Sequence, residues 1–400
     1  MEENIMTNLI IFRNILRDDL IESYNNLYKK YLKYNKMDSK EEYLNDYYSL
    51  CSFLISRGYD SINDYIADKI LIDENIFSLS CEKGYAVSEK IKKAVFRDLT
   101  ILKKIFEIPL KGMAANACDI NNFINFSKNE KLTEVFKNSN IEEIYEYIYE
   151  EYRNFGSGQY RNNYAFSINE SGEIIPVYNF KPVVMEDIYG YSSQKSRIME
   201  NTEKFISGKF ALNTLLVGDS GTGKSTTVKA LIPMFKNKKL RLIELGKENI
   251  HHISNIIETL KDRGMYYIIF IDDLSFESNE NSYKYLKSAV EGSIYEQPAN
   301  ILFYVTSNRK HLIKESMLDR QQEIHMRDAI NEQTSLADRF GLTILYSEPN
   351  QNEYYEIVLG LAKKFGLKYD DEQLLIEAKK FALKNGGRTG RSAVQFIRTL

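Results

Sequence analysis

The string GDSGTGKS, Gly218 to Ser225, lies between the apolar run Leu215-Leu216-Val217 and the helical stretch VKALIPMF, and it constrains the fold of this chain more than any other segment. It fits G-x-x-x-x-G-K-[ST] at a strand-to-helix junction, the pattern of a phosphate-binding P-loop. Glycines let the backbone turn with its N–H groups facing inward around a polyphosphate, and the dipole of the following helix favours negative charge there. Lys224 is then expected to reach the β- and γ-phosphates, and Ser225 to hold Mg2+ through its hydroxyl. Gly218, Asp219, Ser220, Gly221, Thr222, Gly223, Lys224, Ser225 and Thr226 are the expected nucleotide-binding residues. The alternative, a glycine-rich turn that merely caps a helix, is disfavoured because such a string arises by chance in on the order of one chain in a hundred, and more rarely between a strand and a helix.

Such a loop needs an acidic partner for its metal. YYIIFIDDLSFE supplies one, because an apolar strand from Tyr266 to Ile271 delivers Asp272 and Asp273 at its C-terminal end, where ligands bind in parallel sheets. Asp272 is expected to join Ser225 in holding Mg2+, and Asp273 to orient the water that attacks the γ-phosphate. A guanine-specific Asn-Lys-x-Asp is not present; the nearest string is Asn237-Lys238-Lys239-Leu240, so adenine is the expected base.

The rest of the chain divides by periodicity. From Leu9 to about Phe155 apolar residues recur at helical spacing, as in Leu16, Leu20, Tyr24, Leu27 and Tyr31, which predicts an all-helical N-terminal domain over 1–155. GSGQYRNN follows as a linker, and the alternation in YAFSINESGEIIPVY predicts a short hairpin within a connecting segment, 156–184. Strands near Thr214–Val217, Leu240–Leu245, Tyr266–Ile271, Ile301–Thr306 and Leu342–Tyr346 then alternate with helices. This predicts a nucleotide-binding α/β domain with a five-stranded parallel sheet over 185–349, and three helical segments over 350–400 form a small lid. With Lys+Arg 53 against Asp+Glu 56 the net charge is −3, so no global field draws the molecule to nucleic acid or anionic lipid. Cys51, Cys81 and Cys118 are far apart, and MEENIMTNLIIFRN has neither a basic start nor a long apolar stretch. A reduced, cytoplasmic protein with no membrane partner is expected.

From Met185 to Leu400 the order of motifs resembles the AAA+ ATPases: P-loop strand, one intervening strand, acidic strand, ILFYVTSNR, LADRFGLTIL and a helical tail with GGRTGR. The resemblance implies an α/β domain of the ASCE type with a C-terminal helical lid, binding ATP and Mg2+. It assigns Asn308, beside Ser307, to the polar sensor that ends the strand between P-loop and acidic strand. It makes Arg339 an arginine finger for a neighbouring subunit, and Arg388 or Arg391, the former favoured, the lid arginine that touches phosphate. Ile188 and Tyr189, in EDIYGY, match the segment that wraps adenine. The family usually ends its acidic strand with Asp-Glu; Asp272-Asp273 is one methylene shorter at the base position, and Glu277, four residues on, is the alternative to Asp273 for positioning the water. Within the superfamily, IYGYSSQKSRIMENTEKF, FIDDLSFE, SLADRFGL and GGRTGRSA look most like an uncharacterised bacterial family known only as ATP-binding, a domain of unknown function.

The expected activity is therefore Mg-dependent ATP hydrolysis by a homo-oligomeric ring or partial ring. It would drive remodelling or loading of a protein or nucleic acid bound through the N-terminal helices, with lid closure relaying the nucleotide state to them. The rival expectations are a slowly hydrolysing ATP switch or adaptor and a DNA-associated loader resembling replication initiators. His251, His252, His311 and His325 lack metal-ligand spacing and read as structural. The Tyr- and Lys-rich run YKKYLKYNK reads as the polar face of a helical scaffold, since acids are interspersed nearby.

Overall fold

The computed structural model describes residues 6–33, 40–59, 61–107, 113, 130–275, 282–291, 298–308, 339–385 and 387–400, and it divides into two compact units, Met1–Arg161 and Asn162–Leu400. The first unit is helical. It contains α1 (Asp19–Lys33), α2 (Glu41–Ser56), α3 (Ile62–Ile72), α4 (Ile76–Lys83), α5 (Glu89–Phe106), α6 (Glu130–Asn138) and α7 (Ile141–Phe155), and the short α8 (Gln159–Asn162) closes the stretch. Side-chain caps start several of these helices: Ser88 accepts from the Ile91 N–H, and Asn75 and Asn140 each form a reciprocal capping box. Gly84, left-handed at φ 69°, ends α4. The core is aromatic, with Phe77 against Tyr145 and Tyr152, and Phe106 stacked on Phe136. The fully buried Asp98 carboxylate on α5 accepts the backbone N–H groups of Ile10, Ile11 and Phe12, which ties the N-terminal segment down.

The second unit is built on a sheet of β1 (Ala165–Ile168), β2 (Ile174–Pro176), β3 (Thr214–Gly218), β4 (Leu240–Glu244), β5 (Tyr266–Ile271), β6 (Ile301–Ser307) and β7 (Leu342–Tyr346). Its order is β2-β1-β4-β5-β6-β3-β7, and every neighbouring pair is parallel except β1–β2. The expected five parallel strands are all present, but the sheet has seven strands. The hairpin is not a separate connector; it joins the sheet. Ala165 pairs with Leu242, the Leu242 N–H reaches the Tyr164 carbonyl at 2.9 Å, and the open edge of β4 is thereby covered. His252 fastens the hairpin turn, with its ring against Gly172 and Nε2 3.3 Å from the Glu170 carbonyl.

β6 stands between the P-loop strand β3 and the acidic strand β5, so the ends of these three strands converge on one edge of the sheet. That interposed strand is the arrangement the AAA+ resemblance implies, and the fold is of that α/β type. Helices α9 (Ser192–Ile206), α10 (Lys224–Phe235), α11 (Ile253–Leu260) and α12 (Ser282–Glu291) accompany the sheet. The last three, α13 (Gln351–Lys364), α14 (Asp371–Lys384) and α15 (Gly390–Ile397), pack around their own core of Tyr354, Val358, Leu374, Ala378 and Phe396. Asn350, Asp370 and Thr389 cap their N-termini. Among the described residues no helix is long and apolar enough to cross a membrane.

Candidate functional site

The end of β3 fixes the loop. Gly218 has φ 148°, and a Cβ there would fall 1.8 Å from the Tyr346 carbonyl oxygen on β7, so only glycine fits so close to the neighbouring strand. Five residues on, Gly223 is left-handed and turns the chain into α10, whose first residue is Lys224. Lys224 is only 6% exposed; its Nζ donates to the carbonyls of Gly218 at 2.7 Å and Asp219 at 2.8 Å, and to Asn308 Oδ1 at 3.0 Å. Burial pushes its pKa below the ordinary lysine value, and the Asp273, Asp219 and Asp272 carboxylates oppose that shift.

The two carboxylates are held differently. Asp272 Oδ1 accepts from Ser225 Oγ at 2.5 Å, from Thr306 Oγ1 at 2.6 Å and from the Asp273 N–H at 3.1 Å. Asp273 is left-handed at φ 49°, and its N–H also donates to Thr306 Oγ1 at 2.8 Å. Its carboxylate accepts from Asn308 Nδ2 at 2.5 Å. Lys224, Asn308 and Asp273 thus form one hydrogen-bonded chain, with the Ser225–Asp272 pair beside it. Thr306 was not foreseen. Its signal was available: Thr306 and Asn308 are two apart at the end of one strand, and such positions share a face.

The lid supplies the opposite wall. The Arg391 N–H donates to the Gly221 carbonyl at 3.2 Å, and its Nη1 to Ser220 Oγ at 3.3 Å, so the start of α15 lies against the loop. Arg388 is placed elsewhere: its N–H donates to Glu348 Oε1 at 2.8 Å, and it does not line the cleft. Ile188 and Tyr189 face Ile357, Leu361 and Val394 across an apolar slot, and the Tyr189 ring lies so close to α13 that a Cβ on Gly360 would sit 2.2 Å from it. Gln395 and Arg398, also unforeseen, continue the Arg391 face of α15 at helical spacing and line the same cleft. Arg339 is exposed, precedes β7 and is not among the lining residues. Glu277 lies outside the described residues.

The cleft encloses about 700 Å³, within the usual range for small-molecule sites, and its lining divides between polar groups of the loop and strand ends and the apolar side chains of Ile188, Ile357, Leu361 and Val394. That division suits a nucleotide, with phosphates over the loop and the base in the slot. Ser225 and Asp272 offer oxygen ligands only, in mutual contact, and this fits Mg2+, which accepts few protein ligands and keeps several waters.

A family model described as "Protein of unknown function (DUF815)" matches residues 160–400, more than half of the chain. The chain belongs to this family. The DUF815 match takes in the hairpin strands β1 and β2, the whole cleft and the lid, and it leaves most of the helical unit outside. No curated protein matches. Among solved structures, the Thermotoga maritima RuvB Holliday junction branch migration motor is 17% identical, with a TM-score of 0.34 over 55% of this chain and 73% of that one. A substituted form of the same protein gives 16% identity and a TM-score of 0.35 over the same shares. At this level of likeness neither activity nor partner transfers to the DUF815 chain.

Proposed function

We propose that this chain is a Mg2+-dependent ATPase of the AAA+ type. Hydrolysis in a homo-oligomer would drive remodelling or loading of a macromolecule held by the helical unit. The observation that carries the reading is the chain Lys224–Asn308–Asp273 running beside the Ser225–Asp272 pair at the mouth of the cleft. Lys224 is positioned to leave the loop carbonyls for the phosphates, which are better acceptors for an ammonium. Ser225 and Asp272 would hold Mg2+, which supplies charge neutralisation when bound. Asn308 and Asp273 together would orient a water for in-line attack, and Arg391 would meet the phosphates from the lid side. Ile188, Tyr189 and the lid residues facing them would enclose the adenine.

Phosphate release by the purified protein tests this reading. Wild type is expected to turn over ATP with Mg2+, Lys224→Ala to abolish turnover, and Asp273→Ala to lower it by about 100-fold while nucleotide still binds. A slow switch is the second reading, favoured by the short Asp273 side chain already engaged with the Asn308 amide. Tight ATP binding without wild-type turnover in any oligomeric state would select that alternative.

A further inference from the structure

Thr306 bonds both acidic residues, the Asp272 carboxylate and the Asp273 backbone N–H. It is the sixth residue of β6, is 1% exposed, and its hydroxyl joins the two acidic residues. Oγ1 has one proton to give and gives it to Asp272 Oδ1 at 2.6 Å; its lone pair accepts the Asp273 N–H at 2.8 Å. The Thr306 carbonyl accepts the Leu274 N–H at 2.8 Å, so one residue of β6 fastens three consecutive positions of the turn after β5. A left-handed aspartate costs free energy and persists only where its surroundings impose it. Here the surroundings are Thr306 on one side and Asn308 on the other.

This arrangement divides the work of the Asp272 carboxylate. Three donors converge on Oδ1: the hydroxyls of Ser225 and Thr306 and the Asp273 N–H. Ser225 Oγ is itself an expected metal ligand, so its proton is not a permanent partner. Were Ser225 to hold a divalent ion, the Thr306 hydroxyl and the Asp273 N–H would remain to keep Asp272 Oδ1 fixed, leaving the second oxygen of Asp272 to help hold the ion. Small-residue chemistry at position 306 is therefore specific. Valine would fill the same volume but would leave Asp272 Oδ1 and the Asp273 N–H without the shared partner, whereas serine would preserve both bonds.

We propose that Thr306 is a positioning residue for the divalent cation and for Asp273, acting through its hydroxyl on the Asp272 carboxylate and the Asp273 backbone N–H; this rests on the reading of the cleft as a Mg2+–ATP site. The experiment compares wild type, Thr306→Val and Thr306→Ser by two binding measurements and one rate. Nucleotide affinity is measured in excess chelator with a fluorescent ATP analogue, and cation affinity of the ATP-loaded protein is measured with Mn2+ by paramagnetic resonance. In chelator, Thr306→Val is expected to bind within about twofold of wild type, because the loop amides and Lys224 are untouched. Its Mn2+ affinity is expected to fall about tenfold or more, the scale of one lost hydrogen bond to a charged group. Its turnover should fall further than saturating cation restores, because Asp273 also loses its support. Thr306→Ser should stay within about threefold of wild type in all three.

Equal Mn2+ affinity in wild type and Thr306→Val would overturn the proposal. So would loss of nucleotide binding in chelator by a folded Thr306→Val, since that outcome assigns the residue to general packing. If Thr306→Val does not fold, Thr306→Ala provides the same comparison against Thr306→Ser. Failure of wild type itself to bind the nucleotide, with or without cation, would refute the Mg2+–ATP reading and this inference with it. Wild-type binding with an indifferent Thr306→Val refutes the inference alone.

Discussion

At the scale of single residues, Lys224 shows how burial sets chemistry. Its ammonium sits among three oxygen acceptors, yet burial still moves its pKa below the 10.5 of an ordinary lysine. Below its folded pKa the charge is present at a cost to the empty protein, and that cost vanishes as the pH rises past 10.5. Phosphates would reverse the balance, since an anion stabilises the ammonium and raises its pKa again. Nucleotide binding is thus expected to take up a fraction of a proton at alkaline pH below 10.5, and affinity is expected to decline as pH rises through that window. Calorimetry in two buffers of different ionisation enthalpy reads the uptake, and Lys224→Ala should abolish it. A buffer-independent heat in wild type would show that the lysine does not meet the phosphates. At this scale the sequence was most legible where spacing alone carries the chemistry, from Gly218 to Ser225. Thr306 was overlooked for a physical reason: its importance lies in hydrogen bonds to residues 33 and 34 positions away, and the one local signal, its place two residues before Asn308, says only that the two share a face. Arg388 was favoured over Arg391, and it is Arg391 that meets the loop; three residues of sequence at a helix entry do not say which guanidinium turns that way.

At the scale of elements, the parallel strands were readable because each is a short apolar run. The hairpin was recognised as a hairpin, but its destination was not. Joining β4 depends on an edge left open by the rest of the sheet, which is a property of the assembled fold and not of Tyr164–Tyr178. The lid offers a sharper test of how elements make a site. Helix α13 approaches the segment carrying Tyr189 so closely that glycine is required at position 360, although this helix position has no unusual backbone. Leucine at 360 would push the Tyr189 ring or the whole helix away from the slot. Gly360→Leu is therefore expected to weaken nucleotide binding about tenfold, the scale of a lost apolar contact surface. It should leave the helical unit's own stability unchanged. Equilibrium binding together with thermal unfolding of the full chain checks both statements, and unchanged affinity would remove Tyr189 from the base-binding wall.

At the scale of the whole molecule, two units of different construction share one chain, and only the second contains the cleft. The cleft has the loop, the Asp272 and Asp273 carboxylates, Asn308 and the lid arginines Arg391 and Arg398, but Arg339 is not among its lining residues. Arg339 is exposed just before β7; on the proposed reading it would act at a neighbour's site, where a guanidinium would meet the charge developing on the transferred group. On the proposed reading, therefore, one copy of this chain holds an incomplete site, and assembly completes it. Arg339→Ala is expected to bind ATP within about twofold of wild type while turnover drops by about 100-fold or more. Lys224→Ala is equally inactive, but for the opposite reason, since it keeps its finger and loses its own loop. Mixed assemblies should recover activity, because an Arg339→Ala cleft can receive the arginine of a Lys224→Ala neighbour. The recovered rate should rise and then fall as the mixing ratio is varied, and it should vanish on dilution below the concentration at which the copies associate. A mixture that demonstrably co-assembles yet stays inactive at every ratio would place the arginine outside trans catalysis.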